Sequence, residues 1–487
     1  MVYQGKYRPL IIFGTSSGAG KSLVVTALLR IFSDMGIDTV PFKVQNMSLN
    51  AGVGIGGEMA YAQIIQARAA RVYPSVLMNP ILLKPEENKT HVILVGKYYG
   101  TFSAGGYMRS KKEEIYKIAL ECFNRLQSEH ELVIIEGAGS PAEINLDNDI
   151  ANLRIAKDVK AKGILVADIE RGGMFASVVG TLELIDFRDM IGIIVNKFRG
   201  DESLLYKGYE FLERKFGITV LGTIPYIEHN LPEEDSLANW TKKEGRIKIS
   251  IVKLPHIANF TDFEIFESIE DVGLVYAKKP EELKNSDVII VPGSKLTVAD
   301  LEYLRKEGFE DEIKKQYRDG AFIIGICGGY QMLGKYIIDN VESKKGKVLG
   351  MNLLEDSKTE FFPYKKTNRI FGHILHPYFY GYKIEGYEIH MGITISRNYF
   401  SKIYREGNRY IKRFDGSYYK NVIGTYFHGL FDNTKFTESF INYIRERKGL
   451  DKVKLKIESL DERINKIANI FKKKVDIKKI IDEIKIS

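Results

Sequence analysis

Short apolar runs alternate with amphipathic stretches along most of the chain. PLIIF (9–13) predicts a strand, KSLVVTALLRIFSDMG (21–36) a helix ending at Gly36, and DTVPFK (38–43) a second strand. LVIIEGAG (132–139), GILVADI (163–169), MIGIIVNKF (190–198) and TVLGTIPY (219–226) predict further strands, with helices between them. This alternation implies a parallel α/β sheet, because parallel strands need helix-sized crossovers and are buried on both faces. Residues 231–246 are polar and aperiodic, which predicts a linker. A second α/β set follows: IKISIVKL (247–254), GLVYA (273–277), DVIIVPG (287–293), AFIIGICGG (321–329) and VIGTYFHG (422–429). The expected division is therefore a first domain over 1–230, a linker over 231–246, a second domain over 247–445 and a charged tail over 446–487. Apolar residues recur at helical spacing in the tail, which predicts a helix docked on the surface.

Composition narrows the class. A hydrophobic share of 44% supports full cores, and no run approaches the ~20 apolar residues of a membrane span. The N-terminus runs from one short apolar stretch into a glycine-rich loop, without the regions of a signal peptide. A cytoplasmic protein is expected. Two cysteines, Cys122 and Cys327, cannot build a disulfide framework, as suits a reducing compartment. The net charge of +8 is spread along the chain, apart from the Lys-rich tail. Without zinc-finger spacing or an aromatic RNA-binding motif, no nucleic-acid partner is expected, and no membrane partner either.

GTSSGAGKS (14–22) lies between a predicted strand and a predicted helix. The phosphate-binding pattern G-x4-G-K-[ST] would place its first glycine at 15, where Thr15 stands, and Gly14 comes one residue early. The physical requirements survive this variation. Gly14, Gly18 and Gly20 let backbone N–H groups face phosphates at a helix N-terminus. Lys21 can reach the outer phosphates, and the Ser22 hydroxyl can ligate Mg²⁺. Such a loop needs a carboxylate for its metal. Glu136 ends LVIIE and Asp168 ends LVAD, both at strand ends where a doubly wound sheet binds its ligands.

Cys327 sits between the apolar run FIIGI and GGYQMLG, in a strand–turn–helix elbow. Such an elbow exposes a nucleophile near a helix N-terminus, which favours the thiolate. Gly325, Gly328 and Gly329 relieve crowding and let N–H groups approach an oxyanion. The chemistry expected is attack on an amide carbon, a thioester, loss of ammonia and hydrolysis. Among His256, His373, His376, His390 and His428, the strand-end His428 is the candidate base and His390 in GYEIHMG the runner-up. Cys122 lies on a helical pattern and is expected in the core.

These stretches resemble the cobyric acid synthase family of glutamine-dependent amidotransferases. The resemblance spans about residues 10–445 and rests on GTSSGAGKS, PFKVQNMSLN, EGAGSPAEINL, DIERGGMFAS, LPHIANFTDF, VPGSK, GICGGYQMLG, GYEIHMG and GTYFHGLFD. The loop variant also resembles dethiobiotin synthetase. The resemblance implies a dethiobiotin-synthetase-like P-loop domain joined to a class I glutamine amidotransferase-like α/β domain. It implies MgATP, glutamine and a corrinoid as ligands. The b, d, e and g carboxylates of an adenosylated a,c-diamide would be activated as acyl phosphates and amidated by ammonia released at Cys327. It gives Lys43 the γ-phosphate or the attacking carboxylate, VPGSK the second oxyanion donor, and QNMSLN and GSPAEINL the corrinoid wall. The wider class often carries an acid two residues after the base, whereas this chain has Leu430, so Glu388 becomes the candidate to orient His428. The rivals are cobyrinate a,c-diamide synthase and a partitioning-type switch ATPase. The latter usually has a lysine early in its loop, and none stands between Gly14 and Gly20.

Overall fold

A computed structural model describes residues 6–86, 89–103, 111–145, 149–227, 231 and 243–486. The chain forms two compact units. One comprises Met1–Ser48, Gly54–Leu231 and Leu460–Ser487, and the other Leu49–Val53 and Pro232–Ser459. Most of the expected linker, residues 232–242, lies outside the described residues.

The first unit is built on six parallel strands. They are β1 (Leu10–Gly14), β2 (Thr39–Phe42), β3 (Leu132–Glu136), β4 (Lys162–Asp168), β5 (Met190–Phe198) and β6 (Val220–Pro225), in the order β6-β5-β4-β1-β3-β2. Every residue of β1, β2 and β3 is buried, as expected of strands covered on both faces. The helices α1 (Lys21–Asp34) and α2 (Tyr61–Ala69) join the covering layers. Strand order reverses around β1, where successive connections leave for opposite sides. Register places Ile12 beside Glu136 and Gly14 beside Val166, so the loops after β1, β3 and β4 meet at one carboxyl edge. That edge is the ligand crevice of a doubly wound sheet.

The second unit has its own six-stranded sheet. Its strands are β7 (Ile247–Val252), β8 (Val272–Ala277), β9 (Val288–Val291), β10 (Phe322–Ile326), β11 (Ser417–Tyr419) and β12 (Val422–Thr425), in the order β8-β7-β9-β10-β12-β11. Only β11 is antiparallel to its neighbour. The helix α3 (Gly328–Leu333) follows β10 directly. A long antiparallel pair, Leu354–Ile374 with Lys383–Ile395, belongs to a further sheet that the apolar pattern does not announce.

From Leu460 onward the tail belongs to the first unit. Helix Leu460–Lys474 buries Ile464, Ile467, Ala468 and Phe471 in one cluster with Val24, Leu28 and Phe32 of α1. Arg30 of α1 is 1% exposed, and its Nη2 donates to Asp461 Oδ1 at 2.8 Å and to the Arg68 carbonyl at 3.1 Å. The segment is therefore part of a core. Phe471→Ala should cost about 3–5 kcal/mol, as a fully buried aromatic does on truncation. Denaturant unfolding followed by a probe in the first unit would show a lowered midpoint.

Candidate active sites

The phosphate loop connects β1 to α1 and is tied down from several sides. Gly20 has φ 103°, and a Cβ there would lie 2.0 Å from the amide nitrogen of Asn196. That same Asn196 Nδ2 donates to the Ala19 carbonyl at 2.9 Å, bracing the loop from the end of β5. Thr15 N–H donates to Val166 O of β4 at 2.9 Å. Lys21 Nζ turns back over the loop and donates to Ser16 O at 3.0 Å and Gly139 O at 2.7 Å. Gly139 belongs to the loop after β3. Asn152 clasps that loop by accepting from Ala138 N–H at 3.1 Å and donating to Ala138 O at 2.6 Å.

Glu136, buried at the end of β3, is the hub of this site. Its Oε1 accepts from Ser22 Oγ at 2.9 Å and from Lys43 Nζ at 2.8 Å, and its Oε2 accepts from Gln66 Nε2. Burial alone would raise its pKa. Lys43 and the hydrogen bonds from Gln66 and Ser22 outweigh that and hold the carboxyl below its ordinary range. Asp168 lies at the same sheet edge but is otherwise engaged. It pairs with Lys197 Nζ at 2.8 Å and accepts from Glu170 N–H at 2.8 Å. Sequence reasoning did not assign Gln66, Asn152 or Asn196. Asn152 lies in DIANL (149–153) and Asn196 in NKFRGD (196–201), and nothing in their spacing indicates which loop each grips.

Cys327 occupies the elbow between β10 and α3 at φ 51°, ψ −108°, a backbone conformation rarely taken by a residue with a side chain. Its N–H donates to Thr425 O of β12 at 2.8 Å, and Sγ lies 3.4 Å from Ile389 O. The glycines are sterically required. A Cβ on Gly329 would come 1.9 Å from Val291 O. Gly293 of the VPGSK stretch faces the centre, since a Cβ there would lie 3.3 Å from His428 Cε1 and 3.8 Å from Cys327 Cβ. Its neighbour Ser294 is fixed by Asp300, whose Oδ2 accepts from Ser294 Oγ at 2.6 Å.

Of the five histidines, His428 is the one beside Cys327. Its Nδ1 is 2.6 Å from Asp262 Oδ2, and Asp262 Oδ1 accepts from Gly429 N–H at 2.8 Å. Burial disfavours the imidazolium. The charge and hydrogen bond of Asp262, then those of Cys327, outweigh it and push His428 up to about 10. His390 is turned elsewhere: Nδ1 to Gly392 O at 2.6 Å, Nε2 to Glu388 Oε2 at 3.4 Å, with its ring stacked on Tyr426. His256 pairs with Asp300, His373 stacks on Tyr404, and His376 is buried among Phe379, Tyr378 and Tyr418. The carboxylate at His428 is thus Asp262, and Glu388 serves a different cluster. Burial raises Glu388, but His390, Arg413 and Lys366 overcome this and hold it at about 2. Cys122 packs in the core of the first unit, and burial raises its thiol to about 11.

Comparison with known proteins matches the two halves of the chain to two domain families. Residues 10–237 match the family described as CobQ/CobB/MinD/ParA nucleotide binding domain, and residues 248–436 match the CobB/CobQ-like glutamine amidotransferase domain. The chain is 52% identical over 483 residues to a probable cobyric acid synthase of Thermococcus gammatolerans, covering 98% of this chain and 99% of that protein. It is 45% identical over 489 residues to a cobyric acid synthase of Clostridium botulinum strain Okra, covering 97% and 98%. The chain belongs to the cobyric acid synthase family. As a member of that family it is a glutamine-dependent amidoligase, with a nucleotide-binding domain ahead of its amidotransferase domain. Among the described residues no helix is long and apolar enough to cross a membrane.

Asp262→Asn removes the charge opposite the imidazole. Glutamine hydrolysis should fall by roughly 10²- to 10⁴-fold in kcat, as when the orienting acid of a catalytic triad is neutralised. The pair also links stability to pH. Because the folded-state value lies near 10 against 6.5 for a free imidazole, its contribution is full below about 6.5 and is lost as pH rises through about 10. Unfolding midpoints of wild type and variant should therefore converge as pH is raised from 6 to 10.

Proposed function

We propose that this enzyme amidates the b, d, e and g carboxylates of adenosylcobyrinic a,c-diamide, giving adenosylcobyric acid, with ATP for activation and glutamine for nitrogen. The observation that carries the reading is the presence of a phosphate loop and a Cys–His–Asp centre on one chain that matches proteins named cobyric acid synthase over nearly its full length.

Cys327 Sγ attacks the carboxamide carbon of glutamine. The developing oxyanion is met by backbone N–H groups at Gly328 and at the short strand Gly293–Ser294. His428, aligned by Asp262, passes its proton to the departing amine, and ammonia leaves behind a glutamyl thioester. Water, deprotonated by the same imidazole, then frees glutamate and the thiol.

Ammonia does not displace oxide from a carboxylate at neutral pH, so the acceptor must first gain a better leaving group. In this reading a substrate carboxylate oxygen takes the γ-phosphoryl group of ATP. The resulting acyl phosphate is attacked by ammonia, and phosphate departs. Positioning and charge neutralisation are what phosphoryl transfer asks of a protein. Gly14, Thr15, Gly18 and Gly20 shape a loop whose N–H groups receive the phosphates, and Lys21 moves from the Ser16 and Gly139 carbonyls onto them. Lys43 faces the same space from the end of β2.

The residues present suit Mg²⁺, a hard ion that keeps several waters and needs few protein oxygens. The Ser22 hydroxyl and the Glu136 carboxylate, 2.9 Å apart, would hold it, with Glu136 acting through water because Lys43 and Gln66 already occupy its oxygens. When bound, the ion would neutralise phosphate charge. Asp168, paired with Lys197, is assigned to holding that lysine at the strand end. QNMSLN and the described part of GSPAEINL, residues 139–145, are the corrinoid wall in this reading.

Mass spectrometry of the purified enzyme with adenosylcobyrinic a,c-diamide, MgATP and glutamine tests the reading. Successive exchange of hydroxyl for amino groups is expected, in step with ATP and glutamine consumption. Amidation of cobyrinic acid instead would reassign the enzyme as the a,c-diamide synthase. Cys327→Ala should abolish glutamine use and keep amidation by free ammonia. Lys21→Ala should do the reverse, losing synthesis and keeping glutamine hydrolysis.

A further inference from the structure

Asn259 stands in the left-handed region at φ 53°, ψ 44°, at the head of the 3₁₀ segment Phe260–Ser268. Asparagine tolerates that conformation better than most residues. Ahead of a helical turn, its side chain ordinarily folds back to cap exposed N–H groups. Asn259 makes no such bond. Its side chain is 5% exposed and is committed elsewhere: Nδ2 donates to Ala51 O at 3.0 Å and to Tyr387 Oη at 3.1 Å. A carboxamide nitrogen has two hydrogens, so these two acceptors fix its plane.

Tyr387 is the residue against which His428 rests. Their rings are stacked, with centroids 5.2 Å apart and planes 19° from parallel. The backbones also pair, His428 N–H to Tyr387 O at 2.9 Å and Tyr387 N–H to His428 O at 3.2 Å. The turn that begins at Asn259 also delivers Asp262, whose own N–H donates to Asn259 O at 3.1 Å. One short stretch, NFTD, therefore controls the imidazole from two directions. Asp262 grips its Nδ1 edge, and Asn259, through Tyr387, supports its face. A single hydrogen bond at Nδ1 leaves the ring free to tilt out of plane, and a clamped aromatic face removes that freedom.

We propose that Asn259 is a positioning residue for glutamine hydrolysis, holding Tyr387 against His428 so that the imidazole stays aimed at Cys327. The proposal rests on the reading of Cys327 and His428 as the glutaminase centre. The partner carbonyl, Ala51, lies in Leu49–Val53, a stretch that belongs to the second unit although the chain on either side of it belongs to the first.

The test uses the full-length enzyme and measures glutamate release and ammonia-driven amidation separately. Asn259→Gly keeps the left-handed backbone and deletes the amide. Asn259→Asp keeps the shape but sets an acceptor against the Ala51 carbonyl, leaving only the Tyr387 hydroxyl able to donate to it. Tyr387→Phe deletes only the hydroxyl. For Asn259→Gly, kcat for glutamate release should fall about 10- to 100-fold, the size expected when a catalytic group is misplaced. KM for glutamine should move less than about threefold, since no substrate contact is lost. Asn259→Asp should lose less than Asn259→Gly, because its carboxylate can still accept from the Tyr387 hydroxyl. The pH profile of kcat should shift in all three variants, and Asn259→Gly with Tyr387→Phe together should be no worse than Asn259→Gly alone. Ammonia-driven amidation should be unchanged. Unaltered glutamate release in Asn259→Gly, fully additive losses in the double variant, or joint loss of glutamine- and ammonia-driven activity would each overturn the proposal. A wild-type enzyme that releases no glutamate would instead overturn the glutaminase reading on which it rests.

Discussion

A buried carboxylate is costly unless cations and hydrogen-bond donors replace the water it has lost, and each reactive centre here is organised around one such group. At the nucleotide site it is Glu136, which gathers Ser22, Lys43 and Gln66. At the cysteine site it is Asp262, which gathers His428 and the Gly429 N–H. In both cases satisfying the carboxylate also sets the geometry of its neighbours. Ser22 is placed by Glu136 at the mouth of the phosphate loop. Asp262 favours the charged form of His428 and holds its Nδ1 edge.

Asparagines hold the loops around these carboxylates. Asn196 fastens the phosphate loop at Ala19, Asn152 clasps the loop after β3 at Ala138, and Asn259 joins Ala51 to Tyr387. A carboxamide offers donors and an acceptor without charge, so it can replace missing backbone partners in a buried loop without adding to the local field. That matters where phosphates or an imidazolium set the electrostatics. It also explains why glycines cluster at the same places. Each loop must pass close to a side chain or carbonyl, and Gly20 and Gly329 leave no room for a Cβ.

Much of this was legible because parallel α/β sheets announce themselves. Strands buried on both faces are continuous apolar runs, and their carboxyl ends are where ligands bind. Glycine-rich turns at those ends point to Lys21, Ser22, Glu136 and Cys327 as candidates. What remained hidden depends on contacts between distant segments. Lys43 reads as a strand-end cation for the γ-phosphate or the attacking carboxylate, and in the fold it is the counter-charge of Glu136. GYEIHMG stands out only for its glycines and its histidine, yet it lies in strand Lys383–Ile395, whose buried positions include Glu388, His390 and Gly392 and so give no apolar alternation. The tail reads as a surface helix, and only the pairing of Arg30 with Asp461 and the burial of Phe471 make it part of the first core.

The departure at position 430 illustrates the same limit. An acid two residues beyond the base would have to sit where Leu430 and Phe431 enter a dense apolar cluster with Phe266, Phe436 and Phe440. A carboxylate there would be desolvated with nothing to pair it but the histidine. The fold instead brings its acid from the 3₁₀ segment Phe260–Ser268. There Asp262 finds a second donor in the Gly429 N–H, and Gly429 adopts φ 73° at the start of the next turn. The carboxylate is satisfied twice, once by the base and once by the backbone of the loop that carries it, so the distance between acid and base is fixed at both ends. An acid at 430 could move with its own loop, whereas Asp262 ties that loop to the element bearing Asn259. The apolar residue at 430 therefore leaves His428 with a carboxylate partner all the same, supplied by Asp262, 166 residues away in the chain.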